Sequence, residues 1–238
     1  MKLEILYLSL KDIQGLSVPM GQIMGWVEEV LRLKGLGKTE MPPKPGIHTR
    51  PDAFIHAMPA YLPDLKAAGM KWSSGYPDNF KKGLPYISGL LILNDPETGI
   101  PIAVIDSTWI TAMRTGAVTA VAAKYLARPD ASVIGIIGCG VQGRSNLEAL
   151  AAVLKKITTV KAYDARPESQ KAYVEEMGKK FKFNVVGVGS PKEAVAGSDV
   201  VVTAVPIAKD PQPLSRIAGS SRAPWPRRST WIPSGRVR

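Results

Sequence analysis

Residues 132–143 read Ser-Val-Ile-Gly-Ile-Ile-Gly-Cys-Gly-Val-Gln-Gly, an apolar run that leads directly into three glycines with the spacing G-x-G-x-x-G. The apolar run predicts a buried strand over 132–137, and the residues beyond it predict a helix over 142–154. In this setting the first glycine permits a tight turn, the second lets a ligand approach the backbone, and the third lets helix and strand pack closely. Because a helix N-terminus offers unpaired N–H groups, the segment is typical of a phosphate-binding turn.

Short apolar runs alternate with helical patterns through the rest of this half of the chain. Strands are predicted at 160–163, 185–188 and 199–205, and helices at 167–180 and 191–196. This alternation predicts right-handed βαβ units and a parallel sheet covered on both faces. The fold class is therefore α/β, with a Rossmann-type doubly wound parallel sheet over residues 130–210. Thr203, at the carboxyl end of the last strand, lies where such sheets bind ligands. A purely structural role is equally consistent with the pattern, because β-branched residues are common in strands.

Asp164 ends the second predicted strand of this sheet and follows the glycines by about 20 residues, as expected in a dinucleotide fold. An acid at this position accepts hydrogen bonds from the adenosine ribose. The order of strand, glycines, helix, strand and acid therefore predicts a dinucleotide site that includes Gly138, Gly140 and Gly143. A carboxylate repels a 2′-phosphate, which favours NAD, while the neighbouring Arg166 leaves NADP open as the alternative.

Residues 1–129 have a different pattern, in which strands follow one another directly. Strands are predicted at 4–8, 54–61, 68–73, 87–93 and 100–105, a loop at 74–83, and helices from Ser9, over 19–34 and over 108–127. Arg128-Pro129-Asp130 ends the last of these helices, because proline interrupts helical hydrogen bonding. We therefore expect a mixed α+β domain over 1–129 that precedes the nucleotide-binding domain over 130–210.

Composition restricts the class of protein. Of 238 residues, 45% are hydrophobic and one is Cys, so the chain is globular and forms no intrachain disulfide. No apolar run approaches the roughly 20 residues of a membrane helix, and the N-terminus is unlike a signal peptide, so we expect a soluble, cytoplasmic protein without a membrane partner. The lone Cys139 lies between two glycines, where a small buried residue is expected and not a nucleophile.

The net charge of +11 is concentrated at one end of the chain. Residues 211–238 hold six Arg, five Pro, five Ser and no acid, and this composition predicts a disordered tail. A basic arm that binds nucleic acid is the less favoured alternative, because the regular Lys/Arg spacing of such arms is missing. Hydrolase and phosphotransferase signatures are also missing, and neither His48 nor His56 has metal-ligand spacing, so no metal site is predicted.

Two cations in the first half are candidate ligand-binding residues. Arg114 lies on a predicted helix of mostly small or apolar residues, where a guanidinium needs an anionic partner. A carboxylate or phosphate ligand would meet that need, and so would a salt bridge to an acid such as Asp106. Lys71 lies on a predicted strand, where a solvated lysine is the simpler interpretation. Lys44 lies in a proline-rich segment and is predicted to be in a loop.

Six ordered blocks together resemble one family. They are Met41-Pro-Pro-Lys44, Met58-Pro-Ala-Tyr61, Gly69-Met-Lys71, the Asn94-Asp hairpin, Met113-Arg-Thr-Gly-Ala117 and Gly138-Cys-Gly-Val-Gln-Gly143. In this order and spacing they resemble the ornithine cyclodeaminase/mu-crystallin family, over about residues 1–210. The resemblance implies a homodimer, with a substrate and dimerisation domain followed by a Rossmann domain.

The resemblance also implies roles for individual residues. Lys71 and Arg114 match positions that hold the α-carboxylate of the substrate, and Arg114 also approaches the cofactor. Lys44 stands where many members carry Arg, a change that keeps the charge but loses the bidentate fork. Further cofactor positions are matched by Val141, Gln142, Asp164 and Thr203, and either Tyr86 or Ser88 stands where many members place a cofactor-contacting Thr.

The chemistry implied by the resemblance is hydride abstraction from the α-carbon of an amino acid by NAD, which gives an imine. We expect conversion of ornithine to proline and ammonia first. Alanine dehydrogenation and ketimine or cyclic-imine reduction are the alternatives. A further alternative is a mu-crystallin-like protein that binds nucleotide without turnover.

The family pattern ends near residues 211–213. Beyond this point family chains continue through further strands, an acidic residue that acts on the substrate amine, and a C-terminal helix. We hypothesise that 211–238 is a truncation or an out-of-frame reading, motivated by the abrupt change in composition. On this hypothesis the Rossmann sheet is incomplete, the catalytic acid is missing, and the chain is inactive as given.

Overall fold

The computed structural model describes residues 4–206, which form two β-sheets and their connecting helices. The strands are β1 (Leu6–Leu8), β2 (Gly46–Ile47), β3 (Phe54–Leu62), β4 (Ala67–Gly75), β5 (Ile87–Asn94), β6 (Pro101–Asp106), β7 (Val133–Ile137), β8 (Thr159–Tyr163), β9 (Asn184–Gly187) and β10 (Val200–Thr203). The α-helices are α1 (Leu10–Gly15), α2 (Met20–Gly35), α3 (Thr108–Leu126), α4 (Val141–Val153), α5 (Pro167–Lys180) and α6 (Pro191–Val195). None of these helices is long and apolar enough to cross a membrane.

The first sheet has six strands in the order β1-β6-β5-β4-β3-β2. Strand β1 runs parallel to β6, and all the other neighbours are antiparallel. The second sheet has four parallel strands in the order β10-β7-β8-β9. The predicted α/β fold class, with a mixed sheet followed by a Rossmann-type parallel sheet, is confirmed.

The strand order of the parallel sheet determines where a ligand can bind. The chain moves from β7 to β8 to β9 in one direction and then returns to place β10 on the other side of β7. Where the loops after two neighbouring strands lead to opposite sides of a parallel sheet, a crevice opens at the carboxyl ends of those two strands. Here the two strands are β7 and β10. The glycine-rich turn follows β7 directly, so it lies at this switch point.

Local sequence signals explain several element boundaries. Ser9 begins α1 through a capping box, in which its hydroxyl accepts from the Asp12 N–H while the Asp12 carboxylate accepts from the Ser9 N–H. The hairpin between β5 and β6 is closed where the Asp95 N–H donates to the Ile100 carbonyl at 2.9 Å, with Gly99 at a positive φ of 72°.

The segment predicted as a loop over 74–83 has more structure than expected. Strand β4 continues to Gly75 because it is paired with β3 and β5 along its whole length. A 3-10 helix, Pro77–Lys82, then follows, and Gly83 ends it in the left-handed conformation. The short strand β2 was also not predicted, and the predicted disordered tail over 211–238 lies outside the described residues.

Two apolar clusters hold the helices and sheets together. One fills the parallel sheet and its helices, with Ile134, Ile136, Leu147, Leu150, Val160 and Tyr173 among its fully buried members. The other joins α2, α3 and α4 through Met20, Ile23, Met24, Ala117, Ala120 and Ala149. The second cluster therefore connects the mixed-sheet half of the chain to the parallel-sheet half.

Helices α3 and α4 approach until their backbones touch. A Cβ on Gly116 would overlap the backbone carbonyl of Ser145, so only glycine fits at this point. Ala120 and Ala149, each four residues further along its own helix, lie in one cluster, so the two helices run in the same direction. The turn of α3 that precedes Gly116 therefore lies level with the first turn of α4.

We expect Gly116→Ala to lower the free energy of unfolding by about 1–3 kcal/mol, because backbone atoms leave no room for the added methyl group. Gly178→Ala in α5 is the matched control, since a Cβ at that position meets nothing within 4 Å. There the substitution should raise the free energy of unfolding by up to about 1 kcal/mol through helix propensity. Urea titration of both variants measures these changes, and equal effects at the two positions would contradict the close-contact explanation.

Candidate functional site

The glycine-rich turn has the geometry of a phosphate-binding loop. Gly138 has a positive φ of 100°, and a Cβ there would lie 2.6 Å from the Ala204 carbonyl oxygen. A Cβ on Gly143 would overlap the Gly138 carbonyl, so the start of α4 packs directly on the turn. A Cβ on Gly140, by contrast, would meet nothing within 4 Å. Two of the glycines are thus required by protein packing, and Gly140 leaves open space in which a ligand can approach the backbone.

Hydrogen-bond donors are available at this open space. Val141, Gln142 and Gly143 are the first residues of α4, so their N–H groups have no acceptor within the helix. Within residues 4–206, the N–H of Gly140 also has no acceptor. The side chain of Val141 is exposed, and Thr203, at the end of β10, is exposed as well. These donors, together with the positive end of the helix dipole, can bind an anionic group such as a pyrophosphate.

Asp164 holds the turn from the neighbouring strand. Its Oδ2 accepts from the Cys139 N–H at 2.8 Å, and its Oδ1 accepts from the Arg166 N–H at 2.9 Å. The Arg166 side chain returns toward the carboxylate, with Nε 3.8 Å from Oδ1, and also lies over the ring of Phe80. Each carboxylate oxygen retains a lone pair, so Asp164 can still accept from a ribose hydroxyl.

Arg144 contacts the same turn from within α4. Its Nη1 donates to the carbonyl oxygens of Cys139 and Gly140, and its Nε donates to Glu176 at 2.7 Å. Tyr173, which is fully buried, donates its hydroxyl to the Gly143 carbonyl at 3.2 Å. Neither residue was singled out from the sequence. The sequence signal for Arg144 was its position four residues after Gly140, which lets its side chain return to the start of the helix.

Cys139 is a core residue, as predicted. Its side chain is 1% exposed, and burial together with the nearby Asp164 charge raises the pKa of its thiol to about 12. A thiol that stays protonated at neutral pH is a poor nucleophile. Within the described part of the chain, no cluster of His, Cys, Asp and Glu could hold a metal ion.

Lys71 is half-buried on the face of β4 that is turned toward α3, and it is not the solvated strand lysine of the simpler interpretation. Its Nζ donates to Oγ1 of the buried Thr111 at 3.0 Å. Burial, together with the smaller effects of the Arg114 and Lys44 charges, lowers the pKa of Lys71 to about 8. Lys71 therefore lies close enough to Arg114 and to Lys44 to be repelled by both.

No acid in the described ranges compensates these charges. Arg114 and Lys44 are both exposed, and neither forms a hydrogen bond or ion pair with another residue of 4–206. The alternative salt bridge to Asp106 is not formed, because Asp106 Oδ1 instead accepts from the Thr108 N–H at 2.8 Å at the start of α3. Desolvation lowers the pKa of the Arg114 guanidinium as well, although the side chain reaches solvent. Such a cluster can bind a carboxylate.

The two halves of the site meet through α3 and α4. Lys71 reaches Thr111, one turn of α3 before Arg114, and that turn lies level with the first turn of α4. The turn of α3 that carries Thr111 and Arg114 therefore lies at the level of the start of α4, which follows the glycine-rich turn. The register places Ser88 on the opposite sheet face from Lys71, where its hydroxyl contacts that of Ser74, whereas Tyr86 precedes β5 and is half-buried.

Lys71 should cost the folded chain stability at neutral pH. Below pH 8 the folded state carries a buried cation, whereas between pH 8 and the ordinary lysine pKa of 10.5 it loses the proton before the unfolded state does. The free energy of unfolding therefore rises with pH across this interval. We expect Lys71→Met to raise the free energy of unfolding at pH 7 by about 1–3 kcal/mol and to lose that advantage at pH 10.5.

Urea titration at the two pH values tests this expectation. Lys11→Met, on the exposed face of α1, is the control and should show no pH-dependent difference from the parent chain. An advantage of Lys71→Met that is the same at both pH values would show that Lys71 does not titrate in this interval.

Comparisons with known proteins agree with this geometry. The model of the ornithine cyclodeaminase/mu-crystallin family matches residues 6–214. An alanine dehydrogenase of Archaeoglobus fulgidus is 43% identical over 210 residues, which are 87% of this chain and 62% of the relative. An ornithine cyclodeaminase of Agrobacterium fabrum is 32% identical over 83% of this chain and 56% of the relative. The chain thus spans about three fifths of the length of such relatives.

Comparison with solved structures indicates the same family. A Δ1-pyrroline-2-carboxylate reductase of Thermococcus litoralis, in complex with NADH and L-proline, superposes with a TM-score of 0.80 at 41% identity, over 84% of this chain and 61% of that one. An archaeal alanine dehydrogenase dimer with bound NAD superposes with a TM-score of 0.78 at 43% identity, over 84% of this chain and 60% of that one. The chain belongs to the ornithine cyclodeaminase/mu-crystallin family of NAD-binding amino-acid enzymes.

Proposed function

We propose that this chain carries the cofactor and substrate sites of an NAD-dependent enzyme that interconverts an amino acid and its imine. The proposal is carried by two observations. Within residues 4–206, the neighbouring cations Lys71, Arg114 and Lys44 lack acidic partners. The helix that carries Arg114 packs against the helix that begins at a glycine-rich turn with free N–H groups. One group of donors suits a carboxylate and the other a pyrophosphate. The relatives named alanine dehydrogenase and pyrroline-carboxylate reductase support the same reaction class.

In this proposal the cations hold the substrate. Lys71, Arg114 and Lys44 bind the α-carboxylate, and Thr111 orients the Lys71 ammonium through their hydrogen bond. A bound carboxylate would raise the pKa of Lys71 from about 8, so that substrate binding and protonation of Lys71 are coupled. Lys71 is the candidate catalytic residue because it touches the substrate and can hold or release a proton near neutral pH.

The residues of the parallel sheet hold the cofactor. Gly138, Gly140 and Gly143 shape the turn, and the N–H groups of Val141 and Gln142 face the pyrophosphate. Asp164 accepts from the adenosine ribose, Thr203 lines the crevice at the end of β10, and Arg114 reaches the cofactor from α3. A dinucleotide held there would supply a hydride acceptor for oxidation of the amino acid at its α-carbon and, in its reduced form, a hydride donor for the imine.

Asp164 favours NAD over NADP, since its carboxylate would repel a 2′-phosphate. Arg166 does not offset this repulsion, because its N–H and its guanidinium are both turned toward the same carboxylate. In this proposal, residues 1–129 form the substrate and dimerisation domain, and residues 130–210 form the nucleotide-binding domain.

Ornithine cyclisation is the second candidate reaction. The 32% identical ornithine cyclodeaminase supports it, and so does the family that the two proteins share. Cyclisation releases ammonia and returns the hydride to the product, so no NADH accumulates. Dehydrogenation of alanine or proline accumulates one NADH for each substrate oxidised, so absorbance of NADH together with an ammonia assay distinguishes the two reactions.

We expect NADH to raise the unfolding midpoint of the 238-residue chain more than NADPH does at equal concentration, because a ligand that binds only the folded state stabilises it. Asp164→Asn removes the repulsive charge and should lower the NADH to NADPH affinity ratio by about tenfold. Thermal unfolding with each nucleotide measures both effects. A chain that responds to neither nucleotide contradicts the proposed cofactor site.

Turnover is tested separately with L-alanine, L-proline and L-ornithine. Nucleotide binding without product from any of the three, and without product from pyrroline-2-carboxylate and NADH, would favour the alternative of a mu-crystallin-like nucleotide-binding protein.

An apolar sheet face supports a homodimer. The register places Tyr7, Leu90, Trp72 and Tyr61 on the sheet face opposite Lys71, and each is between 37% and 64% exposed. Large exposed apolar side chains gathered on one face of a sheet are typical of an interface. We propose that a second copy of the chain covers this face, as supported by the dimeric archaeal relative.

Sedimentation velocity should show a dimer for the parent chain and a monomer for Trp72→Lys, because symmetry places each new charge in the interface twice. Leu36→Lys is the matched control, since Leu36 is an exposed apolar residue at the end of α2 and not on the sheet. A monomeric parent chain, or a Leu36→Lys variant that also dissociates, would contradict the assigned face.

A further inference from the structure

The carbonyl groups of the glycine-rich turn are held by one arginine. Nη1 of Arg144 donates to the carbonyl oxygen of Cys139 and lies 3.3 Å from that of Gly140. No described peptide bond is cis, and in a trans peptide the N–H points away from the carbonyl to which it is bonded. Carbonyls that face Arg144 therefore turn the N–H groups of Gly140 and Val141 to the opposite side.

Arg144 is itself held in place by α5. Its Nε donates to Glu176 at 2.7 Å, and its guanidinium lies over the ring of the buried Tyr173, 5.5 Å from the centroid. A guanidinium is planar, with its donors in a fixed fork. A bond that fixes Nε on Glu176 therefore also fixes the direction in which Nη1 donates.

The turn is thus held at Cys139 from two sides. Arg144 binds its carbonyl, and Asp164 accepts its N–H at 2.8 Å. Because the peptide units before and after Cys139 are each held by a hydrogen bond, the turn loses little freedom when a ligand binds, and this preorganisation increases affinity.

We propose that Arg144 is a positioning residue that presents the N–H groups of Gly140 and Val141 to the pyrophosphate of the dinucleotide. The inference rests on the proposed cofactor, because the pyrophosphate belongs to it. Arg144 does not contact the ligand. It acts through the two carbonyls, and Glu176 acts through Arg144.

Nucleotide affinity is the first test. In titration calorimetry of the full 238-residue chain, Arg144→Gln should weaken NADH and ADP about tenfold, the effect expected for loss of a charge-assisted hydrogen bond. Adenosine, which has no pyrophosphate, should change by less than twofold. Arg144→Lys keeps the positive charge but lacks the planar set of guanidinium donors, so it should restore only part of the lost affinity for NADH and ADP. Equal weakening of adenosine would overturn the proposal.

A second ion pair provides a matched control. Lys180 and Glu148 also join α5 to α4, with 2.7 Å between their charged atoms, but they do not contact the turn. Lys180→Gln should leave the affinities for NADH and ADP unchanged. If it weakens them as much as Arg144→Gln does, the role of Arg144 is general helix packing and the proposal is wrong.

The thiol of Cys139 reports on the turn without any nucleotide. It is the only cysteine of the chain and is buried, so it reacts with Ellman's reagent only when the turn opens. Arg144→Gln should increase the reaction rate several-fold, Glu176→Gln should increase it less, and Lys180→Gln should not change it.

The two readouts separate the two proposals. A parent chain that binds neither NADH nor ADP contradicts the proposed cofactor, while the thiol rates still show whether Arg144 holds the turn. Thiol rates in Arg144→Gln and Glu176→Gln equal to that of the parent chain overturn the role of Arg144, whatever the nucleotides do. If Arg144→Gln does not fold, the thiol rate and the nucleotide affinity of Glu176→Gln still test the proposal. This variant leaves Arg144 in place and removes only the carboxylate that holds its Nε.

Discussion

The direct contact between the backbones of α3 and α4 at Gly116 and Ser145 is the constraint on which the site depends. Helix α3 follows the mixed sheet in the chain, and α4 begins at the glycine-rich turn of the parallel sheet. With small residues along their contact, the two helices run side by side in the same direction. The Thr111–Arg114 turn therefore lies level with the first turn of α4, and this packing joins the two halves of the proposed site.

Electrostatics gives this site its chemical character. Arg114 and Lys44 both repel Lys71 without compensation by an acid among residues 4–206, so the charge of Lys71 destabilises the folded chain. An anionic ligand removes this repulsion on binding. The glycine-rich turn achieves its attraction for anions differently, through neutral N–H groups and a helix dipole. In the proposed function, a carboxylate and a pyrophosphate would thus be bound by different physical interactions.

The rigidity of the turn comes from side chains outside the glycine motif. Asp164, Arg144 and Tyr173 each bind a backbone group of residues 139–143, and they come from the end of β8, from α4 and from α5. The glycines permit the conformation, because Gly138 has a positive φ and Gly143 contacts backbone. The surrounding side chains then select that conformation from those that the glycines allow.

The parallel sheet, the glycine-rich turn and the position of Asp164 at the end of β8 could be predicted from the sequence, because each depends on residues close in the chain and on apolar periodicity. Most helix and strand positions followed within a few residues for the same reason. Tertiary structure decided whether Lys71 is solvated, whether Arg114 pairs with Asp106, and what holds the turn. Those outcomes depend on packing between residues far apart in sequence, such as Lys71 with Thr111 and Arg144 with Glu176. Periodicity carries no information about such distances, since burial and charge pairing are set only when the helices meet.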